Sequence, residues 1–291
     1  MTNANKPLSL PAGSSNAMTC DVEDYFQVSA FEGLISREQW PSIDCRIPTN
    51  VDRTLERLEQ YGAKATFFTL GWVAEHHPEV VRRISDEGHE IASHGMAHFR
   101  VWSQNPEEFL EDASRSRKLL EDLSGSQVSG YRAASWSMDQ RTPWAHDVLA
   151  EAGYRYSSSI YPIPHDHFGD PDAPPYPHHA GTSGIVEIPA STTQILGRNV
   201  PVAGGGYFRL YPSLLSRWLI RRTMRESGAP YNFYFHPWEL DPDQPRMSEA
   251  SQKSKFRHYL NLKKFEKRWC SLLAEFRWDR MDKVFLDGPG T

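Results

Sequence analysis

Three short clusters in this sequence carry residue types able to hold a cation and move protons. Asp21-Val22-Glu23-Asp24 is rich in carboxylates, and Ser93-His94-Gly95-Met96-Ala97-His98 places two imidazoles four residues apart. Phe235-His236-Pro237-Trp238 sets a further imidazole behind an apolar run. Two His residues at that spacing can face one ion where the backbone turns helically, and imidazole suits zinc, nickel, cobalt or iron. Such pairs also occur by chance on helix surfaces. An ion held by two neutral imidazoles still needs an anionic ligand, and a hydrolase also needs a separate carboxylate as base. The acidic cluster can supply both. Its other reading is a solvated strand end or a helix cap, but the lead-in Met18-Thr19-Cys20 is that of a buried strand delivering the acids to a defined point.

The elements that must position these groups recur along the chain. Residues 50–61 place Val51, Leu55 and Leu58 at helical spacing, stop at Gly62 and run into the β-prone stretch 65–70. Residues 78–87, with Val80, Val81 and Ile84, repeat the pattern before Gly88 and a strand at 89–93. Asn105-Pro106 starts a helix whose buried face is Phe109, Ala113, Leu120 and Leu123, and Gly125 leads to a segment around Tyr131. Thr142-Pro143 opens another helix ending at Gly153 before 154–158, and residues 212–227 form one ending at Gly228 before 231–235. This alternation predicts a parallel sheet with covering helices, and leaves open whether it closes as a barrel. In either case reactive groups gather where strands end.

Residues 162–184 break the alternation with many Pro, His and Asp, and are too long for a routine connection, so they read as a binding loop or lid. Its histidines, His165, His167, His178 and His179, have no matching acid framework for a second metal site. Gly204-Gly205-Gly206 is followed by no Lys-Ser or Lys-Thr and no helix start, which predicts a tight bend near substrate rather than a phosphate loop. Residues 251–276 read as one amphipathic helix burying Phe256, Leu260, Leu262, Phe265, Trp269 and Leu273.

With 291 residues, 39% of them apolar, the chain can bury a sizeable core, and the expectation is a flexible tail over 1–16 followed by one domain over 17–291. A formal charge of −5, mixed along the chain, leaves no basic stripe for a nucleic-acid backbone. Cys20, Cys45 and Cys270 are odd in number and far apart, which argues against a disulfide framework or thiolate zinc site and for a reducing compartment. Residues 1–16 lack the pattern of a signal peptide, and no stretch is apolar enough to cross a bilayer, so the expectation is a soluble, cytoplasmic protein. The nine Trp would suit stacking on sugar rings, although filling cores is their commoner use.

Taken in chain order, the clusters resemble the motifs of the NodB-like polysaccharide deacetylases of carbohydrate esterase family 4. Asp21 stands where that family's catalytic base stands, and His94 with His98 matches its H-x-x-x-H metal pair. Gly130-Tyr131-Arg132 resembles the third motif, whose Arg pairs with the base. Residues 149–159, with Ala152-Gly153-Tyr154 and Ser157-Ser158-Ser159, look like the fourth, and His236 matches the general-acid His of the last. All five occur in the family's order over residues 18–239. Gly204 through Leu210, His236-Pro237-Trp238-Glu239-Leu240 and residues 256–262 are similar to the branch associated with exosortase and exopolysaccharide loci. The resemblance implies an α/β fold, a distorted (β/α) barrel of about seven strands with an extra C-terminal helix.

It further implies a divalent metal ion, zinc being the default for mixed imidazole and carboxylate ligands. The implied reaction is removal of N-acetyl groups from a sugar polymer or oligosaccharide in exopolysaccharide biosynthesis. In it Asp21 is base, Arg132 its support and His236 the acid, with Tyr131, Trp136 and Trp238 on the substrate and the Tyr131 segment a backbone donor to the oxyanion. Two departures stand out. The family's first motif has adjacent Asp residues, whereas Val22 follows Asp21, so the third ligand shifts to Glu23, on the same face of an extended strand, or to Asp24 if the strand has already turned. Ala134 stands where a Pro is usual. The alternatives are an allantoinase-like cyclic amide hydrolase sharing the barrel, and a non-catalytic sugar-binding protein that keeps the pocket.

Overall fold

The computed structural model describes residues 7–8, 15–166 and 168–286. Its strands are β1 (Asn16–Val22), β2 (Thr66–Thr69), β3 (Glu90–Ser93), β4 (Gly130–Tyr131), β5 (Tyr156–Ser157), β6 (His178–Ala180) and β7 (Ile185–Glu187). A separate hairpin follows, β8 (Thr192–Ile195) with β9 (Arg198–Pro201), then β10 (Asn232–Phe235) and β11 (Trp278–Asp279). The main sheet runs β10-β1-β2-β3-β4-β5-β7-β6. From β10 to β7 every pairing is parallel, which gives the expected seven strands, curled into a half-barrel. β6 adds an antiparallel edge, and β11 pairs with the start of β1.

The helices are α1 (Ile47–Gln60), α2 (Gly71–His76), α3 (Pro78–Asp86), α4 (Pro106–Ser124) and α5 (Ala145–Glu151), then α6 (Gly205–Leu210), α7 (Ser213–Ser227), α8 (Gln252–Tyr259), α9 (Leu262–Glu275) and α10 (Met281–Phe285). α4 shows how sequence sets their limits. The Asn105 side chain accepts from the Glu108 amide while Glu108 accepts from the Asn105 amide, Pro106 opens the first turn, and Gly125 closes the helix at φ 65°.

Strand alternation divides the sheet into two faces. Met18, Cys20, Val22, Phe67, Ile91, Phe233 and Phe235 join the large core under the helices. Ala17, Phe68, Ala92 and Tyr156 face the concave side, whose lower end α10 fills with Met281, Val284 and Phe285. By the same alternation Asp21 on β1 and His236 just past β10 point to the concave side.

Several expectations change. Residues 251–276 form two helices, because the carbonyls of Arg257, His258 and Leu260 turn to the Arg209 guanidinium and Asn261 adopts φ 54°. Phe256 is consequently 58% exposed and His258 takes the buried position. Gly204, at φ 94°, does make a bend, but α6 begins at the next residue. Within the stretch expected to be a loose tail, Pro7 bridges to His178, the Leu8 amide donates to Pro177 O, and Asn16 already belongs to β1; residues 1–6 and 9–14 lie outside the described residues. Among the described residues no helix is long and apolar enough to cross a membrane.

Candidate active site

β1 ends at Val22, and the Glu23 amide donates to Asp21 O at 3.0 Å, closing a three-residue turn that brings the Glu23 carboxylate into the concave side beside Asp21. His94 directly follows β3. Its Nδ1 donates to Arg132 O at 2.7 Å, since a carbonyl can only accept, and Nε2 therefore keeps its lone pair. His98 is reached through a loop rather than a helical turn: Gly95 has φ 74° and His98 φ 55°, held by Arg37, which donates to Ala97 O and His98 O. The ligand atoms of Glu23, His94 and His98 lie within 4.8 Å of one another, and all three residues are buried.

This group fits a cation. Glu23 Oε2 is buried without a hydrogen-bond partner although His98 Nε2 is only 2.8 Å away, as when two lone pairs aim at one third atom. Burial opposes ionisation of Glu23, but the His98, His236 and His94 rings outweigh it and lower the carboxyl to about 2. Burial lowers His94 to about 4, so its ring is neutral at neutral pH, the form that ligates metals.

Arg132 is fully buried and donates from Nη1 to Asp21 Oδ1 at 2.6 Å and to Thr19 Oγ1 at 2.9 Å. It also donates to Ser158 O and Ser158 Oγ, and its guanidinium lies 4.0 Å from the Phe68 ring centroid and 4.7 Å from that of Trp136. The serine run thus serves to seat Arg132, with Ser159 Oγ accepting from the Ala133 amide.

His236 Nε2 sits 3.3 Å from Glu23 Oε1, and Nδ1 donates to Glu239 Oε1 at 2.9 Å. Glu239 is fully buried and its other oxygen accepts from Arg209 Nε at 2.7 Å. Burial alone would lower His236, but the bond to Glu239 and the charges of Glu23, Glu239 and Asp21 raise it to about 9. Trp238 stacks between His236 and His258, at 5.1 Å and 4.1 Å between centroids.

Asp21, Glu23, His94, His98 and His236 line one cleft, walled by Trp136, Tyr234, Phe168 and Trp238. Ser135 and Trp136 have φ 55° and 52°, and Ser135 Oγ is buried in the cleft wall without a hydrogen-bond partner. Adjacent left-handed residues are the kind of backbone strain that persists at functional sites.

Two expected site residues are placed elsewhere. Asp24 does not join the metal group: Oδ1 accepts from the Tyr25 amide and Oδ2 from the Arg46 amide, so it fastens the loop entering α1, and burial raises it to about 6. Tyr131 does not reach the cleft; its ring is buried between Phe109 and Tyr154 on the helix side, because alternation sends Arg132 to the concave face instead. His178 Nδ1 meets Tyr176 O and His179 Nδ1 meets Gly184 O, with no shared focus, while His167 lies outside the described residues. Glu239, Arg209, His258, Phe168 and Tyr234 join the site without a sequence expectation. The His236-x-x-Glu239 spacing behind a Pro, a capping-box pattern, was the available signal for the first.

Residues 40–157 match the family model described as polysaccharide deacetylase, and residues 158–286 match a domain of unknown function, DUF3473. The likeness to polysaccharide deacetylases is thus carried by residues 40–157. His94, His98 and Arg132 lie within the match to the deacetylase domain, Asp21 and Glu23 precede it, and Arg209, His236, Glu239 and His258 come from the DUF3473 region. The cleft is therefore assembled from both matched segments and from residues that precede them.

A peptidoglycan-N-acetylglucosamine deacetylase of Bacillus cereus is 37% identical over 73 residues, 25% of this chain and 26% of that protein. A peptidoglycan deacetylase of Helicobacter pylori is 28% identical over 110 residues, 38% of this chain and 36% of that protein. The chain thus spans only 26% and 36% of the lengths of these relatives. A crystal structure from Mycobacterium smegmatis, described as a candidate polysaccharide deacetylase, is 22% identical with a TM-score of 0.59, covering 98% of this chain and 93% of that one, a likeness of fold.

Proposed function

We propose that the chain is a metal-dependent hydrolase that removes N-acetyl groups from an N-acetylated sugar polymer or oligosaccharide, acting in exopolysaccharide assembly. The observation that carries this reading is one cleft holding the Glu23–His94–His98 group, the Arg132-gripped Asp21 and the Glu239-gripped His236. Glu23, His94 and His98 would hold a divalent ion, zinc by default, which when bound polarises an amide carbonyl and acidifies water.

The chain's own groups do the proton work. Arg132 fixes Asp21 Oδ1, which assigns Oδ2 to take the proton of the attacking water. Water oxygen bonds to the acyl carbon, and as the C–N bond breaks the electron pair leaves with nitrogen. His236 in its protonated form, which the bond to Glu239 favours, donates from Nε2 to that nitrogen while Glu239 keeps Nδ1. Acetate and a free amine result. Trp136, Trp238, Tyr234 and Phe168 offer ring faces to the sugar. The two relatives described above, a peptidoglycan-N-acetylglucosamine deacetylase and a peptidoglycan deacetylase, support an N-acetyl sugar as substrate.

The test is to load the full chain with zinc and measure acetate and free amine from N-acetylglucosamine oligomers. Equal release of both is expected. Ring opening of a cyclic ureide without acetate release would favour the cyclic amide hydrolase, and saturable oligosaccharide binding without turnover would favour a sugar-binding protein.

A further inference from the structure

The solvent face of α7 is not the polar face that a surface helix ordinarily presents. Ser216, Leu219, Ile220 and Thr223 pack inwards. Leu214, Trp218, Arg221 and Arg225, spaced i, i+4, i+7 and i+11, form the outward stripe, with Arg217 and Arg222 on its flanks. Leu214 is 82% exposed and Trp218 48%. Four arginines and one glutamate fall within this one helix.

The β8–β9 hairpin extends this face. Thr193 Oγ1 contacts Glu226 and Gln194 O accepts from Arg222, so one step along β8 moves one turn towards the start of α7, and the hairpin tip advances towards Trp218. At that tip Leu196 is 98% exposed with φ 52°. A left-handed turn position favours Gly or Asn, and a leucine there gains nothing from folding.

We propose that this face, Leu196, Leu214 and Trp218 set among arginines, docks the protein peripherally on an anionic lipid bilayer. The charge argues for that occupant. Arg198, Arg217, Arg221, Arg222 and Arg225 outnumber Glu226 and Glu275, the acids that pair with them, in a chain whose formal charge is −5. Separate Leu and Trp side chains among guanidinium groups suit the headgroup boundary, where apolar tips enter the acyl region and arginines meet lipid phosphates. The Trp218 ring already stacks near the Arg222 guanidinium, at 5.5 Å.

The placement also suits the cleft. Only Tyr211 and Pro212 separate α6 from α7, and α6 carries Arg209, which grips Glu239 behind His236. Docking through the first turns of α7 therefore holds the cleft's end of the molecule near the lipid surface.

The experiment is co-sedimentation of the full chain with phosphatidylglycerol vesicles and, separately, with phosphatidylcholine vesicles. Binding to the anionic vesicles, weak binding to the neutral ones and release by salt are expected. Leu196→Ser with Leu214→Ser and Trp218→Ser should weaken binding at least about tenfold. So should Arg221→Glu with Arg225→Glu. Both variants should keep the parent's thermal midpoint, which separates lost docking from lost folding. Failure of the parent to bind phosphatidylglycerol vesicles, or undiminished binding by both folded variants, overturns the proposal. So does a parent dimer in sedimentation velocity that the Leu214→Ser and Trp218→Ser changes dissociate, since it would assign the face to a second copy.

Discussion

Glu239 Oε1 accepts from both the backbone amide and the Nδ1 of His236, at 3.2 Å and 2.9 Å, so one buried carboxylate fixes where the ring sits and which of its nitrogens faces the cleft. Together with Glu23 and Asp21 it raises His236, against the effect of burial, to about 9. A general acid works in its protonated form, so turnover should fall on the alkaline side, and because the bond to Glu239 favours the protonated ring that limb should lie above the range of a free imidazole. Glu239→Gln removes a negative charge and should move that alkaline limb at least about one unit towards acid. The pH profiles of kcat/KM for both forms check this, and coincident limbs would contradict it.

Arg132 and Asp21 are an ion pair with almost no exposure on either side. Removing one partner of such a pair leaves a charge buried and uncompensated. Arg132→Ala should therefore cost about 3–5 kcal/mol of stability at neutral pH, measured by urea unfolding. Arg132→Lys should recover only part of it, because an ammonium cannot span Ser158, Thr19 and Asp21 together as the planar fork does.

Gly205 lies against Glu239 so closely that a Cβ would stand 2.1 Å from Oε2, whereas a Cβ on Gly206 would meet nothing within 4 Å. Gly205→Ala should cost about 1–3 kcal/mol in thermal unfolding, and lower acetate release by displacing Glu239 from His236. Gly206→Ala, one residue away, should change turnover little.

The metal group makes an asymmetric prediction for the acidic cluster. Elemental analysis of purified protein should show metal reduced in Glu23→Gln and in His94→Ala with His98→Ala. Asp24→Asn should retain it, because the Asp24 oxygens are engaged by the backbone amides of Tyr25 and Arg46. Equal occupancy across all of these variants would remove Glu23, His94 and His98 as ligands.

Where a residue's role follows from local pattern, the sequence disclosed it. The capped helix 106–124 and the delivery of Asp21 by a buried strand are of this kind. Glu23 was legible as a candidate, but it arrives through a turn at Val22 rather than by strand alternation. The histidine pair likewise meets across a loop held by Arg37, sixty positions earlier in the chain from Ala97. Tyr131 was misplaced because its strand is only two residues long, too short for its facing to be read from periodicity. The break between α8 and α9 is illegible in the sequence for another reason: it is made by Arg209, whose guanidinium captures carbonyls about fifty residues away. Long-range side-chain contacts of that sort leave no periodic trace.

The most direct test compares acetate release from N-acetylglucosamine oligomers by the zinc-loaded parent and by Asp21→Asn, with bound metal measured on the same samples. Asp21 is assigned the water proton and not the metal. Metal content should therefore stay equal while turnover falls by about 10²–10⁴-fold, the range expected for loss of a general base. Undiminished acetate release by Asp21→Asn at equal metal content would contradict the account.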